Sequence, residues 1–463
     1  MMRARVHTLD LAARLDDAFE RSILLGAYAA GEEIVYVLLQ PHGPSVVTQR
    51  IQEGRRAHAF SGRFPLLSWD EREIASMNVV FDELPDSRPL KITRDADPAA
   101  VVARGEGLMQ FVVGPVHAGV NEPGRFTFSS GGETVVHLDA QLSFTHRGVE
   151  QHLQGMSALQ AAPYVARICG SCSAARSFAY ARAIEERAGV TLPENVEVAR
   201  IVIAELERLY NHVSDLAGCA SGAGFGPGSA RGLALKEELM RLNALGTGHR
   251  LLFDVIVPGG VSAYAGEHLV SIGREVSRLT AHVERYLDDL FRNASLISRW
   301  HRTGVVHHAT AKAYGAVGPT LRASKGNHDV RTLSPYGAYA AHVPRVATAV
   351  AGDVFARCSI KRDEIIESFR LIAESLEELR APISLPVDVV ARAGRSLAVV
   401  EGPRGAEVVA LHVDDRGTVE RAHFISASFR NWPIVAEAMN GNIIPDFPLV
   451  NHSFSLCYAC ADR

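Results

Sequence analysis

Two cysteine pairs are the residues of this 463-residue chain that are best suited to chemistry. Cys169 and Cys172 form one Cys-x-x-Cys pair, and Cys457 and Cys460 form another, close to Arg463. This spacing places two thiolates on one side of a turn, where they bind soft or borderline metal ions. Four thiolates from two distant segments predict a buried metal centre that forms only once the whole domain has folded.

From spacing alone, three kinds of metal site remain open. A zinc ribbon separates its pairs by about 15–20 residues. The much longer separation here excludes a local zinc finger but allows a zinc ion that ties two distant segments together. An iron–sulfur cluster, which also takes four thiolates, is the second alternative, and a catalytic metal centre is the third. The single cysteines, Cys219 and Cys358, are predicted to be small buried hydrophobic residues.

Composition argues against several classes of protein. The formal net charge of −4 disfavours nonspecific binding of nucleic acid, which requires a basic face. No segment approaches the ~20 consecutive apolar residues of a membrane-spanning helix. Residues 1–14 carry charges and no apolar core, so they do not resemble a secretion signal. We therefore expect a cytoplasmic protein without a membrane span of its own, which leaves docking on a membrane partner open.

Three long amphipathic helices are predicted to position the cysteines. The first begins near Pro193 and ends at Gly218, and two more carry apolar stripes over residues 269–290 and 365–379. Three such stripes need to face one another, which predicts a helical bundle. Apolar β segments are predicted at residues 34–40, 108–116, 125–130, 133–144, 396–401 and 406–414. The predicted fold class is α+β, mostly helical, with a central bundle of long helices and peripheral antiparallel β segments.

The two ends of the chain are predicted to differ from this centre. Residues 1–105 are expected to form a small N-terminal α/β module with a short acidic helix at residues 69–77, and residues 85–99 to form a linker. Residues 106–463 are expected to form the catalytic domain. The segment from Ile443 onward contains Pro445 and Pro448, and it is predicted to run irregularly while carrying Cys457 and Cys460 inward.

Ordered sequence blocks accompany the cysteines along the chain. They lie at residues 113–119, 122–126, 146–150, 167–173, 210–212, 318–324, 352–357, 403–405 and 446–451. With both cysteine pairs, these blocks resemble the large subunit of nickel–iron hydrogenases, in the membrane-associated, energy-converting branch of the formate hydrogenlyase type. That branch is related to the 49-kDa subunit of respiratory complex I. Residues 68–74 and 85–90 resemble the end of the 30-kDa subunit of complex I.

The resemblance implies a nickel–iron centre whose iron carries carbonyl and cyanide ligands. Cys169 and Cys457 would then be terminal nickel ligands, while Cys172 and Cys460 would bridge nickel and iron. Glu122 matches a glutamate that relays protons, although a surface carboxylate in a turn is the alternative. Arg404 matches an arginine above the metals, with a solvent-facing turn arginine as the alternative.

Further matched residues have weaker implied roles. His117 matches a histidine of the quinone pocket in complex I relatives, and a hydrogen-bonded histidine at a strand end is the alternative. Glu150 and Asp353 would support the site indirectly, and the alternative for each is an ion pair, with Arg147 or Arg357. Many relatives lose a C-terminal extension after metal insertion, and Arg463 occupies that cleavage position.

Three positions depart from the family pattern. Ser455-Leu456 replaces an Asp-Pro before the last motif, Arg176 replaces a histidine, and Ser171 replaces an apolar residue. The first change removes a carboxylate and a rigid φ angle. The second alters a residue that orients thiolates. Because complex I relatives lack the four cysteines, their presence here favours retained metal binding over a pure quinone role.

The function implied is that of the catalytic large subunit of a membrane-associated hydrogenase-like complex that interconverts H2 with protons and electrons. The expected partners are a small subunit that holds an iron–sulfur cluster, and ferredoxin-like and integral membrane subunits similar to those of complex I. The expected location is peripheral, on the cytoplasmic face of the inner membrane. Two alternatives remain open: a redox subunit that acts on a quinone or another acceptor, and a structural subunit whose four thiolates hold zinc.

Overall fold

The computed structural model describes residues 13, 15–16, 22–92, 97–117, 121–379 and 383–463. Most of the segment 1–14, considered above as a possible signal, lies outside these residues. So do residues 93–96 of the predicted linker and residues 118–120, which overlap the block at 113–119. No helix among the described residues combines the length and the apolar character needed to cross a bilayer.

An antiparallel meander, a short parallel pair of strands and one short α-helix make up the N-terminal module. Its elements are β1 (Ile23–Ala30), β2 (Glu33–Gln40), β3 (Gly43–Arg50), β4 (Arg56–His58), α1 (Ser68–Ala75) and β5 (Val80–Asp82). The sequence pattern predicted β2 and α1, but it did not predict β3, which follows the turn after β2. In the structure Pro44 lies near the start of β3, at the edge of the sheet, where a missing N–H group is tolerated.

The module has its own apolar cluster. Its members all come from residues 15–81 and include Tyr36, Phe60, Phe64, Leu67 and Ile74. The other face of the meander, with Leu25 and Val37, joins the main core of the chain. This sheet therefore packs on both faces, once within the module and once against the large domain. The boundary at residues 105 and 106 stays a prediction.

Helices dominate the rest of the described chain. They are α2 (Val149–His152), α3 (Ala158–Ala166), α4 (Ser173–Ala188), α5 (Glu194–Gly222), α6 (Gly226–Thr247), α7 (Ala263–His268), α8 (Gly273–Arg292), α9 (Ala294–Trp300), α10 (His308–Ala313), α11 (Gly318–Arg322), α12 (Val330–Leu333), α13 (Val354–Glu378), α14 (Ala427–Met439), α15 (Phe447–Phe454) and α16 (Tyr458–Asp462). The long helix α5 lies at the centre, packed against α6, α13 and α15, and α13 also packs against α8. The predicted bundle is therefore confirmed.

Antiparallel sheets flank the bundle. The strands are β6 (Leu108–Val113), β7 (Arg125–Gly131), β8 (Thr134–Gln141), β9 (Ile256–Val257), β10 (Gly260–Val261), β11 (Gly394–Gly402), β12 (Gly405–Val413) and β13 (Val419–Ile425). The predicted β segments at 125–130 and 133–144 form the hairpin β7–β8, and those at 396–401 and 406–414 form β11–β12, which pairs Gly402 with Gly405 across its turn. Helices account for 48% of the described residues and strands for 19%, which confirms the α+β class with helices in the majority.

The C-terminal segment 443–463, called the tail below, is not irregular as predicted. Pro445 and Pro448 stand in the first turns of a 3₁₀ turn and of α15, where the absent N–H group has no helical acceptor to lose. A second short helix, α16, follows. The prolines therefore begin these elements and do not break them.

The first long helix also ends later than predicted, because Gly218 and Gly222 lie inside α5 against the tail. A Cβ atom at position 222 would lie 2.7 Å from the Cα of Leu449 in α15. Only glycine at this position allows the two helix backbones to approach so closely.

We expect Gly222→Ala to lower the free energy of unfolding by about 1–3 kcal/mol, because the backbone of Leu449 has no room for a methyl group. The matched control is Gly226→Ala in α6, where an added Cβ meets no atom within 4 Å. That variant should be neutral or slightly stabilising. Chemical denaturation followed by circular dichroism measures both, and equal stabilities for the two variants would contradict this packing argument.

Candidate metal centre

The two cysteine pairs meet in the folded chain. The sulfur atoms of Cys169, Cys172, Cys457 and Cys460 all lie within 4.8 Å of one another. We call this group the tetrathiol pocket. Three of the side chains are buried and Cys457 is partly buried, so the sulfurs are largely withdrawn from solvent. The two pairs thus form one site, as four ligands of a single metal centre would require.

Helix α5 holds the first pair. The hydroxyl of Tyr210 donates to the carbonyl oxygen of Gly170 at 2.8 Å, and the side-chain amide of Asn211 donates to the carbonyl oxygen of Ser171 at 2.9 Å. These two carbonyls belong to the residues between Cys169 and Cys172. The loop between the cysteines therefore has its shape fixed by side chains from the central helix.

The same pair leads directly into α4. Cys172 is the residue before the first turn of this helix, whose positive end faces the pocket and favours thiolates. The carboxylate of Glu207 accepts hydrogen bonds from the backbone N–H groups of Ala174 and Ala175 at 2.7 and 2.9 Å. These bonds tie the start of α4 to α5.

Arg147 joins the two cysteine segments. Its Nη2 donates to the carbonyl oxygen of Ile168 at 2.5 Å and to that of Ala459 at 3.2 Å. Each of these carbonyls directly precedes a cysteine. One guanidinium group therefore fixes the register between the loop and the tail, a role for Arg147 that its sequence context had not indicated.

Helix α14 holds the tail pair. The backbone N–H of Cys457 donates to Oγ of Ser428 at 3.0 Å, and Oγ of Ser426 donates to the carbonyl oxygen of Cys460 at 3.3 Å. The indole of Trp432 contacts the carbonyl of Cys457 at 3.5 Å. Two serines and a tryptophan from one helix thus position the second pair.

Arg404 lies against the pocket and not in solvent. Its Nη1 donates to Oδ1 of Asn211 at 2.8 Å, its Nη2 lies 3.5 Å from Oδ1 of Asp215, and its Nε donates to the carbonyl oxygen of Ser455. The solvent-facing alternative for Arg404 is therefore wrong. Although burial opposes it, the Cys457 thiolate and Asp215 raise the pKa of Arg404 well above its usual value.

Arg176 is the second guanidinium at the pocket, at the position where the family pattern has histidine. Its side chain is only 1% exposed, its Nη2 donates to Oε2 of Glu407 at 2.8 Å, and the same atom lies 3.4 Å from Sγ of Cys460. Its Nε and Nη1 find no hydrogen-bond partner among the described residues. Arg176 thus has two buried N–H groups that are able to donate hydrogen bonds to an acceptor beside the thiols.

The thiols of the pocket differ in their pKa values. Hydrogen bonds from Cys169 and then from Cys172 lower the pKa of the Cys457 thiol well below its ordinary value. A hydrogen bond with Cys169 is the largest of several causes that raise the pKa of Cys172. Burial raises the pKa of Glu407, the partner of Arg176, to about 7.

The donor set fits a metal group. Four thiolates so close together repel one another, and the two guanidinium groups offset half of their charge. A cationic metal centre would balance the remainder and replace the shared protons. Four sulfur ligands without oxygen donors suit zinc, nickel or iron and do not suit magnesium or calcium.

His117 and Glu122 both lie near Tyr458. The Oη of Tyr458 and Nε2 of His117 lie 3.1 Å apart, and Tyr458 stands between the tail cysteines. A Cβ atom at Gly124 would lie 2.6 Å from the Tyr458 ring, so glycine is needed for this loop to reach the tail. Burial is the largest cause of the raised pKa of Tyr458, and the charge of the half-buried Glu122 raises this pKa further.

Glu150 and Asp353 do not form the ion pairs that were offered as alternatives. Glu150 binds Arg463 at 3.0 Å and contacts His423 at 3.2 Å. Asp353 is the N-cap of α13 and accepts from the backbone N–H of Ala356 at 2.8 Å. Each carboxylate therefore supports the scaffold.

The Ser455-Leu456 pair determines how the tail leaves the end of α15. Ser455 has a φ angle of +55° and ends α15. A proline at position 456 would disfavour this conformation of the preceding residue. In place of a carboxylate, the backbone carbonyl of Ser455 accepts the hydrogen bond from Arg404.

The structure adds residues that no local pattern had indicated. Lys361 lies 2.9 Å from Oδ2 of Asp215 and donates to the carbonyl oxygen of Ser453 at 2.9 Å, so it links α13 to both Arg404 and the tail. Glu407 comes from β12. The two single cysteines, Cys219 and Cys358, are fully buried as predicted.

Comparison with known proteins gives matches over most of the chain. The family model described as respiratory-chain NADH dehydrogenase, 49 Kd subunit, matches residues 229–390 and 383–463, about half of the chain. The model described as nickel-dependent hydrogenase matches residues 147–215, which contain the first cysteine pair.

Individual relatives agree with both models. Formate hydrogenlyase subunit 5 of Escherichia coli is 24% identical over 95% of this chain and 83% of its own length. The membrane-bound hydrogenase subunit alpha of Pyrococcus furiosus is 28% identical over 76% of this chain and 86% of its own length. An NADH-quinone oxidoreductase subunit of Herpetosiphon aurantiacus is 27% identical over 77% of this chain and 98% of its own length.

A solved structure shares the fold. It is a chain of the membrane-bound sulfane sulfur reductase, an archaeal respiratory membrane complex, with a TM-score of 0.71 and 23% identity over 77% of this chain and 99% of that chain. The two family models and the individual relatives confirm the resemblance found in the sequence. The chain therefore belongs to the family of the 49-kDa subunit of respiratory-chain NADH dehydrogenase, and it is similar to the large subunits of nickel-dependent and formate hydrogenlyase-type hydrogenases.

Proposed function

We propose that this chain is the catalytic large subunit of a membrane-associated nickel–iron hydrogenase-like complex, and that it interconverts H2 with protons and electrons. The observation that carries the proposal is the convergence of four thiols from two distant segments within 4.8 Å. The hydrogenases among its relatives support it further.

The chain's own residues would hold the group and balance its charge. Cys169, Cys172, Cys457 and Cys460 would be the ligands, and Arg147 would keep the two pairs in register. A nickel–iron group, when bound, would supply the site at which H2 is split into a proton and a hydride. Arg404 and Arg176 would neutralise part of the negative charge in a place that water scarcely enters, where such charges interact strongly.

Glu122 is the proposed exit for the proton. Its half-buried carboxylate is close enough to Tyr458, the residue between the tail cysteines, for its charge to raise the pKa of that tyrosine, and it is partly open to solvent. A carboxylate in this place accepts a proton from the pocket and releases it outward. His117, hydrogen-bonded to Tyr458, orients the tyrosine hydroxyl.

Electrons would leave through a partner. Four of the six cysteines form the pocket, and Cys219 and Cys358 are fully buried, so among the described residues no further thiol is placed to hold an iron–sulfur cluster. We propose a small subunit with such a cluster, together with ferredoxin-like and integral membrane subunits. The chain would then lie on the cytoplasmic face of the membrane through these partners.

A second candidate is a hydrogenase-like redox subunit that reduces a quinone. The relatives named as NADH-quinone oxidoreductase subunits favour it. So does the hydrogen-bonded pair of His117 and Tyr458, because a quinone carbonyl needs such donors. The four cysteines favour the first candidate.

Elemental analysis of the purified native complex should find nickel and iron bound to this subunit. Infrared spectra should show bands of iron-bound carbonyl and cyanide. Cys460→Ser should abolish both signals, since it removes one of four ligands. Stoichiometric zinc without nickel would overturn the proposal and leave a structural zinc site.

Arg404→Lys should lower hydrogenase activity by roughly 10–100-fold, in the range found for residues that orient metal ligands. Lysine keeps the charge but does not reproduce the bonds to Asn211 and Ser455 at once. Arg416→Lys, in an exposed turn, is the control and should leave activity unchanged. Hydrogen uptake with an artificial acceptor measures both, and full activity of the Arg404 variant would remove this residue from the site.

The two candidate functions give opposite results with a His117→Ala variant of the intact complex. Under the first, hydrogen uptake to an artificial acceptor should persist within a few fold, because His117 lies outside the sulfur ligands. Under the second, quinone reduction should fall by roughly 10–100-fold. A wild-type complex that reduces quinone but takes up no hydrogen would decide for the second.

A further inference from the structure

We infer that the N-terminal module is a clasp for the metal-binding tail, with Glu73 as a positioning residue that acts through Arg463. The module contributes none of the four sulfur ligands. Its helix α1 nevertheless contacts the segment that carries two of them. This role goes beyond the proposed reaction, because it concerns how the tail is held and not what the metal does.

The contact is a buried ion pair. Nη2 of Arg463 donates to Oε2 of Glu73 at 2.5 Å, and the two side chains are 2% and 5% exposed. Nη1 of Arg463 donates to Oε1 of Glu150 at 3.0 Å and to the carbonyl oxygen of Phe424. Arg463 therefore bridges a carboxylate of the module and a carboxylate of the large domain.

The backbone around Arg463 is held as firmly. Its carbonyl oxygen accepts from the N–H groups of Arg147 and Gly148, both at 3.1 Å. The carboxylate of Asp462 accepts from the N–H of Ser143 at 2.8 Å and from Oγ1 of Thr145 at 3.0 Å. These bonds also fix Arg147, whose side chain joins the two cysteine segments.

The clasp lies close to the sulfurs along the chain. Cys460 is in α16, and the N–H of Arg463 donates to the carbonyl oxygen of Ala459 at 3.1 Å, which continues this helix by one bond. A shift of Arg463 thus moves α16 and both tail sulfurs with it. If Glu73 lost its charge, Arg463 would keep its ion pair with Glu150 but lose its ion pair with the module. Nη2 of Arg463 would then be buried without a charged partner, which would favour opening of the tail.

The same helix supplies a matched control. Asp70 is also buried in α1, and it pairs with Arg430 of α14 and accepts from the N–H of Ala27 at 3.0 Å. Asp70→Asn therefore breaks a module–domain ion pair that does not involve the tail. Comparison of the two positions separates a role in holding the tail from a general role in docking the module.

The test is a Co2+ titration of the full-length chain after removal of its metal, followed by the thiolate-to-cobalt charge-transfer absorption. Glu73→Gln should weaken Co2+ binding by about 10–100-fold and should lower the absorption per ion, because the tail thiolates are lost while Cys169 and Cys172 remain. Asp70→Asn should bind Co2+ with unchanged intensity, and Glu73→Asp should recover most of the affinity. Equal losses in Glu73→Gln and Asp70→Asn, or wild-type binding by Glu73→Gln, would overturn the inference.

If the Glu73→Gln chain fails to fold, differential alkylation of a milder variant tests the clasp instead. In the milder Glu73→Asp variant, iodoacetamide followed by mass spectrometry should label Cys457 and Cys460 faster than in the wild-type chain, while the labelling of Cys169 and Cys172 stays at the wild-type rate. Wild-type labelling rates at all four cysteines, or equal increases in both pairs, would contradict the clasp. Neither measurement depends on which metal the native protein holds, so a finding of zinc would end the proposed hydrogenase activity and leave the clasp standing.

Discussion

Mutual repulsion among four sulfurs is the constraint around which the molecule is organised. Thiolates within 4.8 Å of one another separate unless other forces hold their backbones and offset their charge. The central helix α5 supplies Tyr210 and Asn211 for one pair, α14 supplies Ser426 and Ser428 for the other, and Arg147 couples the two. The long-helix bundle is thus the rigid frame against which both short cysteine segments are fixed.

Charge compensation comes from residues that are themselves tightly bound. Arg404 is held by Asn211, Asp215 and Ser455, and Arg176 by Glu407. A guanidinium held in this way keeps its position when the charge at the pocket changes. Arginine also cannot lose its proton under these conditions, whereas a histidine at position 176 could. Arg176 therefore gives this pocket a permanent positive charge.

Much of this arrangement was readable in the sequence, and the remainder depended on distant contacts. Cys-x-x-Cys spacing and the apolar stripes are local patterns, so the sequence predicted the meeting of the four cysteines and the long helices α5, α8 and α13. Helix α6 was missed because its glycine-rich start resembles a loop, and β3 was missed because Pro41 and Gly43 suggested an end to the β segment. The tail was predicted to be irregular since its prolines stand where helices begin. Glu407, Asp215 and Lys361 carry no local signal; only folding brings them to the sulfurs.

Withdrawal of the sulfurs from solvent has a kinetic consequence. Cys172 and Cys460 are 1% and 0% exposed, so an ion has almost no open route to or from them. A metal ion held by all four sulfurs would then exchange only when the segment after α15 moved away from α5 and α14, so the rate of that opening would limit its release. Such an ion would be retained for long periods even against a strong chelator, and it would have to bind before the segment closes.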